Sequence, residues 1–179
     1  MAMKFLLINI ILLFFCFCTF SQEKALIGMS VNEFKNIYPN LPAPEKYENT
    51  ITFTKQDTLY GLTGEWGYRF ENNKLNWIFF HKYIDEINEQ NFNKCLSSAE
   101  KIIYDFNNLY GKPDTIIKGN STFRDPYVDH HWGYDVIEAQ WKNFKGMKIK
   151  CEFTFMGGKG EYHFLVTINY FGKDYPYFD

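Results

Sequence analysis

From Phe5 to Phe20 the chain is almost unbroken in apolar residues, with Asn9 and Thr19 as interruptions. The run falls short of the roughly 20 residues that a membrane-spanning helix needs. Lys4 stands just before it, which completes the layout of a secretory signal. Thr19 and Ser21 supply small residues three and one positions ahead of a cut, so cleavage is expected between Ser21 and Gln22. The product would be exported, periplasmic or secreted, with no stable membrane span after cleavage. A lipid anchor is less favoured, because Phe15 and Phe17 precede Cys16 and Cys18 where a lipobox wants small residues.

Beyond the leader the pattern changes twice. Ser30 and Glu33 have capping-box spacing, and Met29 and Phe34 stand at the two positions of a hydrophobic staple, which predicts a helix over 31–38. Pro39, Pro42 and Pro44 stop it. Alternating positions then predict three antiparallel strands between 50 and 83, with 56–64 the least defined part. Trp66, Tyr68 and Phe70 share one face there, and 75–83 is the returning strand. Phe92, Cys95, Leu96, Ala99, Ile102, Ile103, Phe106, Leu109 and Tyr110 recur at helical spacing, and they predict a long helix over 88–110 with one apolar face. Gly111 and Pro113 end it. A polar stretch over 118–133 reads as a loop, and strands are predicted over 136–142, 148–155 and 161–171.

The order is helix, three strands, helix, three strands. Glu33-Phe34-Lys35-Asn36-Ile37-Tyr38 also aligns with Asp105-Phe106-Asn107-Asn108-Leu109-Tyr110, the mark of an internal repeat. The fold class expected is α+β, two tandem α-β-β-β units with helices on one face of an antiparallel sheet. Residues 1–21 are the signal, 22–85 the first unit and 86–179 the second, the two forming one compact domain.

Ile27-Gly28-Met29-Ser30-x-x-Glu33-Phe34 resembles the opening of the outer-membrane assembly lipoprotein (SmpA/OmlA) modules, and Leu109-Tyr110-Gly111-Lys112-Pro113 is similar to the end of their helix. The tandem order resembles the β-lactamase-inhibitor-protein fold. The resemblance implies a fold and leaves the job open, since one fold carries many functions. The second half lacks Gly-Met-Ser, its helix is much longer, and the lipobox is missing. Asp57-Thr58-Leu59 and Asp114-Thr115-Ile116 are similar to the O-glycan acceptor motif of exported Bacteroidetes proteins.

Charge removes some classes of partner. The chain has 19 basic and 21 acidic side chains, and losing Lys4 with the leader leaves 18 against 21, a net charge of −3. No basic stripe appears, which argues against nucleic acid. Catalytic signatures are scarce. Ser30, Ser97, Ser98 and Ser121 lie outside any Gly-x-Ser-x-Gly, and Gly157-Gly158-Lys159-Gly160 reads as a hairpin turn. The best metal candidate is Asp125, Asp129, His130 and His131, with His163 as a further contributor, although no zinc-ligand spacing is met. Cys95 and Cys151 both point to the core, where a disulfide is slightly favoured over two buried thiols.

Aromatic residues make up 20% of the chain, and they load both faces of the predicted sheet. Leu75, Trp77, Phe79 and Tyr83 share one face of their strand, with Ile78 and Phe80 on the other. In the last strand Tyr162, Phe164, Val166, Ile168 and Tyr170 oppose Leu165 and Phe171. The candidate binding set is Trp66, Tyr68, Trp77, Ile78, Phe80 and Trp141. The function expected is a non-catalytic exported module, with no cofactor, that binds a protein partner through an aromatic sheet face. Inhibitor, immunity and envelope-assembly roles are variants of it. The alternatives are a small metal-dependent hydrolase using the 125–131 loop and a carbohydrate- or lipid-binding domain.

Overall fold

The computed structural model describes residues 27–125, 133–158 and 161–175. The segment expected to be a leader, with its expected cleavage site, and Asp129, His130 and His131, lie outside the described residues. Helix α1 spans Val31–Ile37. Its capping box is formed: Glu33 N–H donates to Ser30 Oγ at 3.3 Å, and Ser30 N–H donates to Glu33 Oε2 at 2.8 Å. The backbone donor of Ser30 is the main reason the Glu33 carboxyl sits below the usual carboxylate range.

Four strands follow: β1 (Glu45–Tyr47), β2 (Thr50–Leu59), β3 (Leu62–Glu71) and β4 (Lys74–Ile84). The ill-defined 56–64 segment is a hairpin whose tip, Tyr60-Gly61, has φ of 51° and 77°. Asn72-Asn73 and Lys145-Gly146 also carry two successive positive φ values, the backbone that matches the twist of paired strands. Helix α2 spans Glu89–Tyr110, capped by the Asn88 side chain, which accepts from Asn91 N–H at 2.8 Å. At its far end Gly111 adopts φ of 85°, and its carbonyl accepts the indole N–H of Trp141 at 2.7 Å.

After α2 come β5 (Thr115–Lys118), β6 (Gly133–Phe144), β7 (Met147–Gly158) and β8 (Glu161–Gly172). Among the described residues the element order is therefore a helix and four strands, twice, where three strands were expected each time. The added strands β1 and β5 are three and four residues long, too short for alternation to register. β5 also takes the first residue of the segment read as a loop.

All eight strands form one antiparallel sheet in the order β1-β2-β3-β4-β8-β7-β6-β5. Phe53, Tyr68, Ile78, Tyr170, Ile149 and Trp141 make one row across six strands. Phe34 of α1 packs on Phe53 and Tyr68 in this row, at ring distances of 5.3 and 4.9 Å. Phe106 of α2 packs on Trp141 and Tyr170 in the same row, at 5.9 and 6.0 Å. This face is the main core, and burying its aromatic side chains supplies the largest share of the driving force.

Two expectations change here. Arg69 pairs with Trp77 but Phe70 pairs with Leu75, so Asn76 is an extra residue in β4. This bulge turns Leu75 into the core beside Ile78 and Phe80, away from Trp77, Phe79 and Tyr83. Cys95 and Cys151 are both buried and both free thiols. Phe92 meets Phe153, and Phe106 meets Tyr170, the partner of Ile149.

Candidate functional site: the Trp77 face of the sheet

The expected aromatic binding set divides sharply. Trp66, Tyr68, Ile78, Phe80 and Trp141 are at most 5% exposed and belong to the main core cluster. They build the core and are not a surface. Trp77 is the member of the set that points the other way, and it belongs to a file along β4.

Alternation after the bulge sends Trp77, Phe79, His81 and Tyr83 to the face opposite the core. Trp77 and Phe79 rings lie 4.6 Å apart, Phe79 stacks on His81 at 4.4 Å, and His81 meets Tyr83 edge-on at 6.2 Å. At one end Trp77 stacks on Phe171, which stacks on Tyr175. At the other end Tyr83, 50% exposed, meets His163 at 5.3 Å. Gly67 makes this file possible. A Cβ there would lie 1.9 Å from the Phe79 ring, so the ring lies directly over bare backbone.

Beside the aromatic file runs a chain of polar side chains across four strands. Trp77 Nε1 donates to Asn169 Oδ1 at 3.0 Å, and Asn169 Nδ2 donates to Thr167 Oγ1 at 3.0 Å. Thr167 Oγ1 donates in turn to Glu152 Oε1 at 2.8 Å. Lys150 Nζ then bridges Glu152 at 2.8 Å and Glu138 at 2.9 Å, and Gln140 Nε2 donates to the other oxygen of Glu138. Glu138, Thr167 and Asn169 are buried. The polar atoms satisfy one another, which is the condition for burying them without a large penalty.

The charges respond to this setting. Burial lowers the His81 pKa and a hydrogen bond with Asn169 partly opposes it, so the ring is held towards its neutral form. For Lys150, burial acts to lower the pKa, but Glu152 and Glu138 outweigh it and raise the value. Both cysteines are unsuited to nucleophilic work. Burial pushes the Cys95 thiol up to about 11 and raises Cys151 well above the usual thiol value. Ser98, inside α2, gives its hydroxyl to the Tyr60 carbonyl at 3.1 Å. Among the described residues no three His, Cys, Asp or Glu side chains gather as a metal site, and Asp125 is the described member of the expected loop set.

The face therefore presents exposed Tyr83 and half-buried Trp77 and His81, backed by buried Phe79 and by a buried, self-paired polar chain. A shallow depression of about 290 Å³ beside it is lined by Gln56, Thr63, Glu65, His81 and Tyr83, among others. Sequence reading missed the polar chain. Its trace is the alternation Lys148, Lys150, Glu152 and Thr154, with Thr167 and Asn169 set into the apolar run of β8. No helix among the described residues is long and apolar enough to cross a membrane. Comparison of the chain with protein-family models, with curated proteins and with solved structures finds no match.

Proposed function

We propose that this chain is an exported, non-catalytic binding module, built from two similar helix-and-strand units with both helices on one side. Its recognition surface is the sheet face around Trp77, His81 and Tyr83, and its partner is a protein of the envelope or extracellular space. The observation that carries the reading is the aromatic file on β4. These rings contribute nothing to the packing of α1 or α2, yet they are held in place by stacking, by Gly67 and by the Asn169 hydrogen bond. Rigid aromatic groups lose little entropy on binding, and partly exposed ones serve as anchors. The adjoining polar chain supplies orientation without a need to recruit new partners.

The order β1-β2-β3-β4-β8-β7-β6-β5, in which the halves meet at their last strands, supports the two-unit reading. A second reading, a saccharide site, is favoured by the depression next to His81 and Tyr83, where a ring faces carboxylate and amide groups.

The test is capture from the organism's envelope and secreted fractions with the processed chain as bait, alongside Tyr83→Ala and His81→Ala variants of unchanged circular dichroism. A protein held by the natural chain and lost by both variants supports the reading. Equal retention by all three baits removes it. Binding confined to a glycan array, and lost in Tyr83→Ala, transfers support to the saccharide reading.

A further inference from the structure

The sheet ends in β5 at one side and β1 at the other, and the two edges differ in what they could pair with. Three of the seven large hydrophobic side chains that are exposed among the described residues gather at the β5 edge: Tyr104 at 65%, Ile116 at 49% and Ile117 at 44%. Between α2 and β5 runs a groove of about 640 Å³ lined by Ile103, Tyr104, Asn107, Pro113, Ile116 and Ile137, with charged residues at its rim. An edge strand with apolar side chains is a template for another strand.

The ladder says which groups face outwards. Gly119 N–H donates inwards to Val136 O at 3.0 Å. Antiparallel ladders alternate every residue, so Ile117 also turns its backbone groups towards β6. The alternation ends at the start of the strand, where Asp114 N–H also donates inwards, to Gln140 O at 2.8 Å, and Asp114 can meet a second copy through its side chain alone. Ile116 and Lys118 turn theirs towards the open edge.

We propose that β5 pairs with β5 of a second copy of this chain, antiparallel and about a two-fold axis through Ile116. The charges select this register. An axis at Lys118 sets two lysines opposite each other, one at Thr115 sets Lys112 opposite Lys118, and one at Asp114 sets two aspartates together. An axis at Ile117 leaves Lys118 facing Ile116. The axis at Ile116 alone sets Asp114 opposite Lys118 twice, with the two isoleucines between them. Opposite charges across a pair stabilise and like charges destabilise.

Asp114 is exposed, and one of its carboxylate oxygens accepts from Lys142 N–H at 2.7 Å, which leaves the other oxygen for the lysine. Ile116 N–H of each copy donates to Ile116 C=O of the other. The same geometry places Tyr104 of both copies over the joined groove. β1 is a poor rival, because pairing it with itself about its central residue sets Lys46 against Lys46. A two-fold interface of this kind closes on itself and stops at two copies.

This surface is distinct from the Trp77 face and does not rest on the binding role proposed there. The full chain, purified as its host processes it, is followed by sedimentation velocity over a wide concentration series. A concentration-dependent dimer is expected, and Ile116→Glu should shift it to monomer with unchanged circular dichroism. Asp114→Lys and Lys118→Asp should each raise the dissociation constant about tenfold, and the double variant should restore it. A monomer at every concentration overturns the proposal and makes Lys118 a guard of the edge. A dimer that is indifferent to Ile116→Glu, or a double variant no better than the singles, overturns it as well.

Discussion

The indole N–H of Trp77 on β4 donates to the side-chain oxygen of Asn169 on β8, 3.0 Å away and 92 positions along the chain. The bond crosses the junction where the first four strands meet the last four. It also fixes the end of the aromatic file to the start of the polar chain, so one buried amide positions both halves of the candidate surface.

Replacing Asn169 with alanine should therefore cost more than one hydrogen bond. The Trp77 indole and the Thr167 hydroxyl both lose a partner in a buried place, and a loss of about 1–3 kcal/mol is expected. Urea unfolding followed by circular dichroism measures it. Trp77→Phe removes the donor but keeps a ring, so its loss should be smaller. An unshifted midpoint for Asn169→Ala would mean that the amide holds nothing together.

Lys150 neutralises Glu138 and Glu152, whose side chains are 7% and 17% exposed. Lys150→Met leaves two buried carboxylates without a cation. It should cost about 3 kcal/mol, the low end for broken buried pairs, because 28% of the lysine side chain is still solvated. Adding Glu138→Gln and Glu152→Gln should recover much of the loss. The Lys150 pKa is raised in the folded state, so its contribution is full below the unfolded lysine value of about 10.4 and is lost as pH climbs through the folded value. Lys150→Met should abolish this part of the alkaline decline; an identical decline in the variant would contradict the assignment.

His81 works with the opposite sign. Its folded pKa is lowered, chiefly by burial, so the unfolded chain takes up a proton first. Stability should be full above about pH 6.5 and should fall as pH drops from there towards the folded value. Thermal melts across that window should show the slope in the natural chain and lose it in His81→Gln.

Gly67 lies under the Phe79 ring, where an added Cβ would stand 1.9 Å from it. Gly67→Ala must drive the ring aside, away from both Trp77 and His81. A destabilisation of about 1–3 kcal/mol is expected from the overpacking. The near-ultraviolet circular dichroism of the aromatic file should change while the far-ultraviolet spectrum stays. Unchanged near-ultraviolet signals would mean that the ring does not depend on the glycine.

Cys95 and Cys151 should resist thiol reagents in the native state, since burial raises both pKa values. Intact mass after labelling at pH 8 should show neither modified in the folded chain from Gln22 onwards, and both modified after unfolding in urea. A mass two units lower, with no labelling after unfolding, would restore the disulfide that the sequence slightly favours.

Local signals determined a good deal of this molecule in advance. Ser30 and Glu33 foretold the capping box, and the heptad-like spacing from Phe92 to Tyr110 foretold α2 almost to the residue, because both depend on neighbours within one or two turns. Alternation in β8 separated Phe164, Val166, Ile168 and Tyr170 from Leu165 and Phe171 correctly, since pleating acts residue by residue. The mixed α+β class followed from those elements.

Other features were decided by tertiary structure. Asn76 reads as an ordinary strand residue, yet the register with β3 makes it a bulge and moves Leu75 into the core. The strands β1 and β5 exist because β2 and β6 offer them an edge, and no pattern three or four residues long can announce that. An aromatic residue looks alike on either face of a sheet, so the sequence grouped Trp66 and Trp141 with Trp77. Which side of the sheet joins the main core is decided by contacts tens of residues apart, and those contacts place the first two in that core and put Trp77 against Phe171 and Tyr175 instead.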